Sequence, residues 1–190
     1  MTVSELTWSP HITRKNGIFY VTVGGIPWDI LDWARRTECW AGSKAGKVLL
    51  SADFELGESA SPSAIAIIPG SYFAGKNRMR VADVRKAATG TLGFRTPKAG
   101  LIAALYEQIG EDDMKMMGLT WIALMHEPVE IEDEIRLALL AIYPKRGKLL
   151  EVFPEKPNDE WTLEGGFAFQ AEAFPGALPA IPHDSLDHRV

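Results

Sequence analysis

A short apolar segment, residues 119–126, constrains the fold of this chain more than any other feature. Its sequence, LTWIALMH, includes an aromatic and a β-branched residue; a glycine precedes it and a proline follows two positions after it. A run of this length between such breakers favours a strand buried on both faces over a helix, which needs about ten residues or more. We therefore predict that it lies at the centre of a sheet, with the polar residues His126, Glu127 and Glu130 near the end of the strand.

Strand patterns also occur elsewhere in the chain. Asn16-Gly17 predicts a tight type I′ turn between two strands, because both positions accept a positive φ, and the second strand covers residues 18–23. Alternating apolar and polar residues predict a half-buried strand over 48–56, and an apolar run predicts a buried strand over 64–68. Residues 161–170 predict a last strand, with a bulge at its two adjacent glycines.

Four segments have helical patterns. They are residues 27–40, which open with a proline; residues 81–89, which stop at Gly90; residues 96–109, which start at Thr96-Pro97; and Glu111–Met117, which lies between two glycines. In the third segment, Ile102, Leu105 and Ile109 recur at helical spacing and predict its buried stripe.

The segment after the central strand fits two structures. Four apolar residues between positions 131 and 142 recur at helical spacing. However, residues 137–143 and 148–153 are strand-like, and they flank the sequence PKRG, which is typical of a hairpin loop. We favour the hairpin.

These elements together predict an α+β fold with a mainly antiparallel sheet and two to four helices. A length of 190 residues and a hydrophobic content of 46% suit one domain with one core, which we place at residues 1–171. Residues 172–190 contain Pro175, Pro179 and Pro182, which cannot pair inside a sheet, so we predict an extended C-terminal arm.

The composition also narrows the class of protein. No segment approaches the roughly 18 consecutive apolar residues of a membrane helix, and the first residues lack the pattern of a secretion signal. The single cysteine, Cys39, excludes an internal disulfide and suits a reducing compartment, so we expect a cytoplasmic protein without membrane contact. No two histidines have the H-x-x-x-H spacing of a helical metal site, and we predict no metal site and no cofactor.

The net charge of −5 hides an asymmetry along the chain. Residues 1–98 contain 13 Lys and Arg against 8 Asp and Glu, whereas residues 99–190 contain 7 against 17. Segment 76–98 holds the densest positive charge, and its candidate binding residues are Lys76, Arg78, Arg80, Arg85, Lys86 and Arg95. Such a segment can contact an anionic partner, or it can pair with the acidic half of the same chain.

Within this basic segment, the helical pattern predicts which side chains face outward. Val81, Val84 and Ala88 form the inner face, which leaves Arg85 and Lys86 outside. Few aromatic residues interleave the basic ones, and the chain is acidic overall, so these features disfavour a dedicated nucleic-acid binder.

Residues 70–77, GSYFAGKN, have the glycine and lysine spacing of a phosphate-binding loop. Asn77 occupies the position at which a hydroxyl side chain would hold magnesium, and the bulky Tyr72 and Phe73 crowd a loop that must close around phosphates. We therefore interpret this segment as a glycine-rich surface loop.

A catalytic alternative combines His126 and Glu127 with Asp53, Glu55 and Glu130 as possible neighbours. A histidine at a strand end beside carboxylates can act as a general base or a metal ligand. We favour a structural histidine that hydrogen-bonds a turn, because no complete catalytic motif is present.

Our leading hypothesis is a non-enzymatic binding protein. It would contact a protein or anionic partner, or a second copy of itself, through segment 76–98 and the C-terminal arm. A small hydrolase using His126 and a nucleic-acid-binding protein are the two alternatives.

Overall fold

The computed structural model describes residues 12–23, 62–73, 79–131, 134–143, 147–154 and 160–172. These ranges contain ten strands and three helices. The strands are β1 Ile12–Lys15, β2 Ile18–Val23, β3 Ser63–Pro69, β4 Met79–Arg80, β5 Trp121–Leu124, β6 Val129–Ile131, β7 Glu134–Tyr143, β8 Gly147–Pro154, β9 Glu160–Trp161 and β10 Gly166–Gln170. The helices are α1 Val81–Lys86, α2 Leu101–Gln108 and α3 Glu111–Met117. The predicted α+β class, with a mainly antiparallel sheet, is confirmed.

Eight of the strands form one sheet. Its order is β1-β2-β3-β10-β5-β7, and both β6 and β8 pair with β7. Strands β5 and β6 pair with successive parts of β7, around residues 139–141 and 134–136 respectively. The pair β5–β10 is parallel, whereas the other pairs in this sheet are antiparallel. Strands β4 and β9 form a separate two-stranded sheet.

The central position of the 119–126 segment is confirmed. Strand β5 lies between β10 and β7, and the residues from Ile122 to His126 are 0% exposed. Both faces of the sheet are covered here, which explains why the segment carries apolar residues at consecutive positions and not at alternate ones.

Two layers of side chains cover the two faces of the sheet. One buried cluster joins Ile65 and Ile67 to residues of α2 and α3, including Ile102 and Met114. The other joins the alternate residues of the same strands to α1 and to a group of aromatic side chains. The predicted stripe Ile102, Leu105 and Ile109 is buried in the first cluster.

Both predicted hairpins are confirmed. Asn16 and Gly17 have φ values of 51° and 80°, as the type I′ turn between β1 and β2 requires. Strands β7 and β8 pair from Arg136–Pro154 to Tyr143–Gly147, so the helical alternative after the central strand is wrong.

Two predicted helix ends are wrong. Helix α2 begins at Leu101 and not at Thr96, because the backbone of Arg95 pairs with Gln170 through two hydrogen bonds of 2.8 and 2.9 Å and holds the chain extended there. Helix α1 does not stop at Gly90; it widens into a π-helical turn, Ala87–Thr91, that passes through this residue.

The predicted last strand is divided in two. Residues 161–170 form the end of β9, a turn, and β10. A Cβ atom at Gly165 would lie 2.1 Å from the indole ring of Trp121, and a Cβ atom at Gly70 would lie 2.5 Å from the carbonyl oxygen of Leu163. The turn therefore packs directly on neighbouring residues, and these contacts break the strand.

Several predictions lie outside the described residues. They are the helix over 27–40, the strand over 48–56 and the arm beyond Glu172. In the described part of the chain, no helix is both long enough and apolar enough to cross a membrane.

Candidate functional site

The basic segment 76–98 contains some residues that face solvent and others that contact the rest of the protein. Helix α1 buries Val81 and Val84, and the π-helical turn that follows it buries Ala88, as predicted. Lys76 and Arg78 lie outside the described residues. The other four candidate residues, Arg80, Arg85, Lys86 and Arg95, have different surroundings.

Arg85 is half-buried and points back toward the sheet, which differs from the outer position expected from the helical pattern. Its guanidinium donates hydrogen bonds to the carbonyl oxygens of Met125 at 2.8 Å and His126 at 2.7 Å. These charge-assisted bonds connect α1 to the chain that leaves the central strand. Charge patterning alone cannot detect such a role, since the acceptors are backbone atoms 40 and 41 residues away.

Arg95 is exposed but has an acidic partner. Its guanidinium lies 2.6 Å from the carboxylate of Glu172, and the two side chains are 68% and 67% exposed. An ion pair this exposed contributes between about 0 and 1 kcal/mol to stability, so the contact has little structural importance. The carboxylate of Glu172 nevertheless partly neutralises the charge of Arg95.

Arg80 and Lys86 are exposed at the two ends of α1. Neither has an ion-pair partner among the described residues. Arg80 lies on β4, which places it directly across from Glu160 on β9, and the neighbouring pair in this two-stranded sheet is Met79 and Trp161.

Successive side chains of a strand alternate between its faces, so Arg80 lies on the face of this pairing opposite to Trp161. Trp161 belongs to an aromatic cluster. The ring centroid of Trp161 lies 4.9 Å from that of Trp121, 6.0 Å from that of Phe167 and 5.9 Å from that of Phe153. Phe167 is buried, whereas Phe153 is 45% exposed and Trp161 is partly exposed. We call the exposed part, formed by Phe153 and Trp161, the aromatic surface.

The aromatic surface was missed by the sequence interpretation. Its two residues come from β8 and β9, and β9 contains only two residues. The available signal was one large aromatic residue at the end of the predicted strand 148–153 and another at the start of the predicted strand 161–170, and no local pattern indicated that the two side chains meet.

His126 is completely buried, at 0% exposure. Its Nδ1 donates a hydrogen bond to the carbonyl oxygen of Glu127, which fixes the proton on that nitrogen. Burial lowers the pKa of His126 to about 4, and the positive charge of Arg85 acts in the same direction, while the hydrogen bond to Glu127 opposes them. The ring is therefore neutral near pH 7, and solvent does not reach it.

The remaining residues of the catalytic alternative do not join His126 in a site. The side chain of Glu127 is exposed, as is that of Glu130, and Asp53 lies outside the described residues. Within the described ranges, no group of three or more His, Cys, Asp and Glu side chains is placed to hold a metal ion.

A cleft of about 320 Å³ lies beside the end of β5. Its two walls are residues 96–99 and residues 127–129. His126 does not line it, although Glu127 does. Lys98 and Glu127 are its charged residues, and Pro97, Ala99 and Val129 are buried.

Comparisons with protein-family models, with curated proteins and with solved structures gave no match for this chain.

Proposed function

We propose that this protein is a non-enzymatic binding protein that engages a partner protein through the aromatic surface. The observation that carries this proposal is the contact between the exposed Phe153 and the partly exposed Trp161, whose ring centroids lie 5.9 Å apart. Tryptophan and arginine are enriched among the residues that dominate binding energy, and aromatic residues are enriched in protein interfaces generally.

The rigidity of the surface supports the same function. Trp161 is packed edge-to-face on Trp121, and the Trp121 ring in turn lies against the backbone of Gly165. A side chain held in this way loses little conformational entropy on binding, so more of its contact energy remains as affinity.

The charges around the surface favour a protein over a nucleic acid. Glu160 lies opposite Arg80 in the β4–β9 pair, and Glu164 is exposed in the turn that follows β9. These carboxylates would repel a phosphate backbone. The partner that fits best is therefore a protein that presents an apolar side chain to Phe153 and Trp161.

The proposal is tested by comparing four variants in quantitative capture from an extract of the source organism. Phe153→Ser and Phe153→Glu should each weaken capture of the partner about tenfold or more, because the first removes an aromatic contact and the second also places a charge on the apolar surface. Tyr72→Ser and Lys15→Glu are the matched controls, since Tyr72 is 40% exposed and Lys15 is an exposed cation on the edge strand β1.

A supporting result is a protein that the unchanged chain and both controls capture and that both test variants lose. Equal capture by all five proteins would refute the proposal. If the captured protein is a second copy of this chain, the oligomeric state measured by light scattering should fall in the same two variants. Binding to a single-stranded oligonucleotide that weakens steeply with salt would instead support the nucleic-acid alternative.

A further inference from the structure

The turn between β1 and β2 places an exposed asparagine directly before a glycine. Of the asparagines in the chain, which are Asn16, Asn77 and Asn158, Asn16 alone precedes a glycine. The backbone nitrogen of Gly17 can attack the side-chain carbonyl carbon of Asn16, because glycine has no Cβ that would obstruct the approach. The two residues therefore carry the groups that a spontaneous deamidation needs.

The reaction involves only these two residues and water. A bond forms between the backbone nitrogen of Gly17 and Cγ of Asn16, and the bond from Cγ to the side-chain nitrogen breaks. That nitrogen leaves as ammonia with the proton from Gly17, and a succinimide ring remains. Water then opens the ring at either of its carbonyl groups, which gives aspartate or isoaspartate at position 16.

The folded turn keeps the reacting atoms apart. The φ values of 51° at Asn16 and 80° at Gly17 are those of a type I′ turn, in which ψ of the first residue is about +30°. At that ψ, the nitrogen of Gly17 lies nearly opposite to Cβ of Asn16 across the Cα–C bond. Ring closure therefore requires a large rotation about this bond, which opens the turn.

Few contacts hold this hairpin closed. Strand β1 lies at the end of the sheet and, among the described strands, pairs only with β2. Of its four residues, only Ile12 is buried. The guanidinium of Arg14 lies 5.3 Å from the ring centroid of Phe19, which is opposite to it in the register. An edge strand with so little buried surface opens locally at a lower free energy than global unfolding.

We propose that Asn16 is a site of spontaneous deamidation whose rate is controlled by local opening of the β1–β2 hairpin. The aspartate product keeps the turn, because Asp-Gly also forms type I′ turns. Isoaspartate instead adds a carbon atom to the main chain between the two strands. The four pairs from Ile12–Val21 to Lys15–Ile18 then no longer fit the turn, so β1 separates and exposes the edge of β2.

The test incubates the full chain in mildly alkaline buffer, folded or in denaturant. Digestion and mass spectrometry measure conversion at each asparagine, and an isoaspartyl methyltransferase labels the isoaspartate. In denaturant, Asn16 should convert faster than Asn77 and Asn158, and at least about tenfold faster than in the folded chain. Asn16→Gly should give no product at this position and keep the turn, because glycine accepts positive φ and has no side-chain amide.

Two core variants distinguish local opening from global unfolding. Ile12→Ala should accelerate conversion of the folded chain about tenfold or more, because it removes the buried contact of β1. Ile122→Val, four strands away on β5, should lower the melting temperature and change the rate by less than about twofold. The isoaspartate fraction should exchange amide hydrogens within residues 18–21 faster than the unchanged protein.

Four results would overturn the proposal. The first is the absence of conversion at Asn16 in denaturant, and the second is an equal rate in the folded and the denatured chain. The third is acceleration by Ile12→Ala and Ile122→Val in proportion to their melting temperatures, which would assign the reaction to global unfolding. The fourth is unchanged hydrogen exchange in the isoaspartate fraction, which would show that β1 stays paired.

Discussion

The buried His126 makes the stability of this protein depend on pH in a defined direction. The unfolded chain exposes the ring, which has an ordinary pKa near 6.5, whereas in the fold burial lowers its pKa to about 4. Between these values the unfolded state binds more protons than the folded state. The contribution of the neutral ring to the free energy of unfolding is therefore fully present above pH 6.5 and is lost as the pH falls toward 4. One pKa unit corresponds to about 1.4 kcal/mol, so the loss is about 3 kcal/mol.

Denaturant unfolding at pH 7, 6, 5 and 4 measures this effect when the unchanged protein is compared with His126→Asn. Asparagine places an amide donor close to the position of Nδ1 and does not titrate in this range. The other three histidines and all carboxylates are present in both proteins, so their contributions cancel in the difference. The free energy of unfolding of the unchanged protein should fall relative to the variant by about 3 kcal/mol between pH 7 and pH 4. If the difference in the free energy of unfolding between the two proteins stayed constant with pH, the conclusion that His126 is buried as a neutral ring would be refuted.

Two further predictions concern packing and the connection between α1 and the sheet. Gly165→Ala should lower the free energy of unfolding, measured by thermal melts, by about 1–3 kcal/mol, because its Cβ would overlap the rigid ring of Trp121. Gly90→Ala is the control, since no atom lies within 4 Å of its added Cβ, and it should not destabilise the protein. Arg85→Met should cost about 2 kcal/mol, because two carbonyl groups at the end of β5 lose charged donors. Lys86→Met is its exposed control, and equal stability of these two variants would contradict the structural role of Arg85.

The parts of the fold that the sequence predicts depend on local patterns. The turn at Asn16-Gly17 needs only two residues that accept positive φ, and the central strand needs only a short apolar run between breakers. The hairpin of β7 and β8 also follows from its loop sequence and from the strand formers on both sides. Each of these features is decided by neighbours in the chain, so an inspection of the sequence identifies them.

The parts that the sequence does not predict depend on distant contacts. Helix α2 starts late because Arg95 pairs with Gln170, and the last strand breaks because Gly165 lies against Trp121. The candidate site also depends on contacts between residues from different strands. The sequence predicts one strand that ends at Phe153 and another that starts at Trp161, but the contact between these two side chains depends on how β8 and the two-residue strand β9 are placed in the fold.

The order of the strands also determines when the sheet can be completed during folding. Strand β10 is the last described strand in the chain, yet it lies between β3 and β5 and pairs with both. Before residues 166–170 are available, the sheet consists of two separate halves, each with an open edge of unpaired backbone groups. A chain truncated before β10 should therefore expose both edges and aggregate, and the long sequence separation between β3 and β10 should slow the final step of folding.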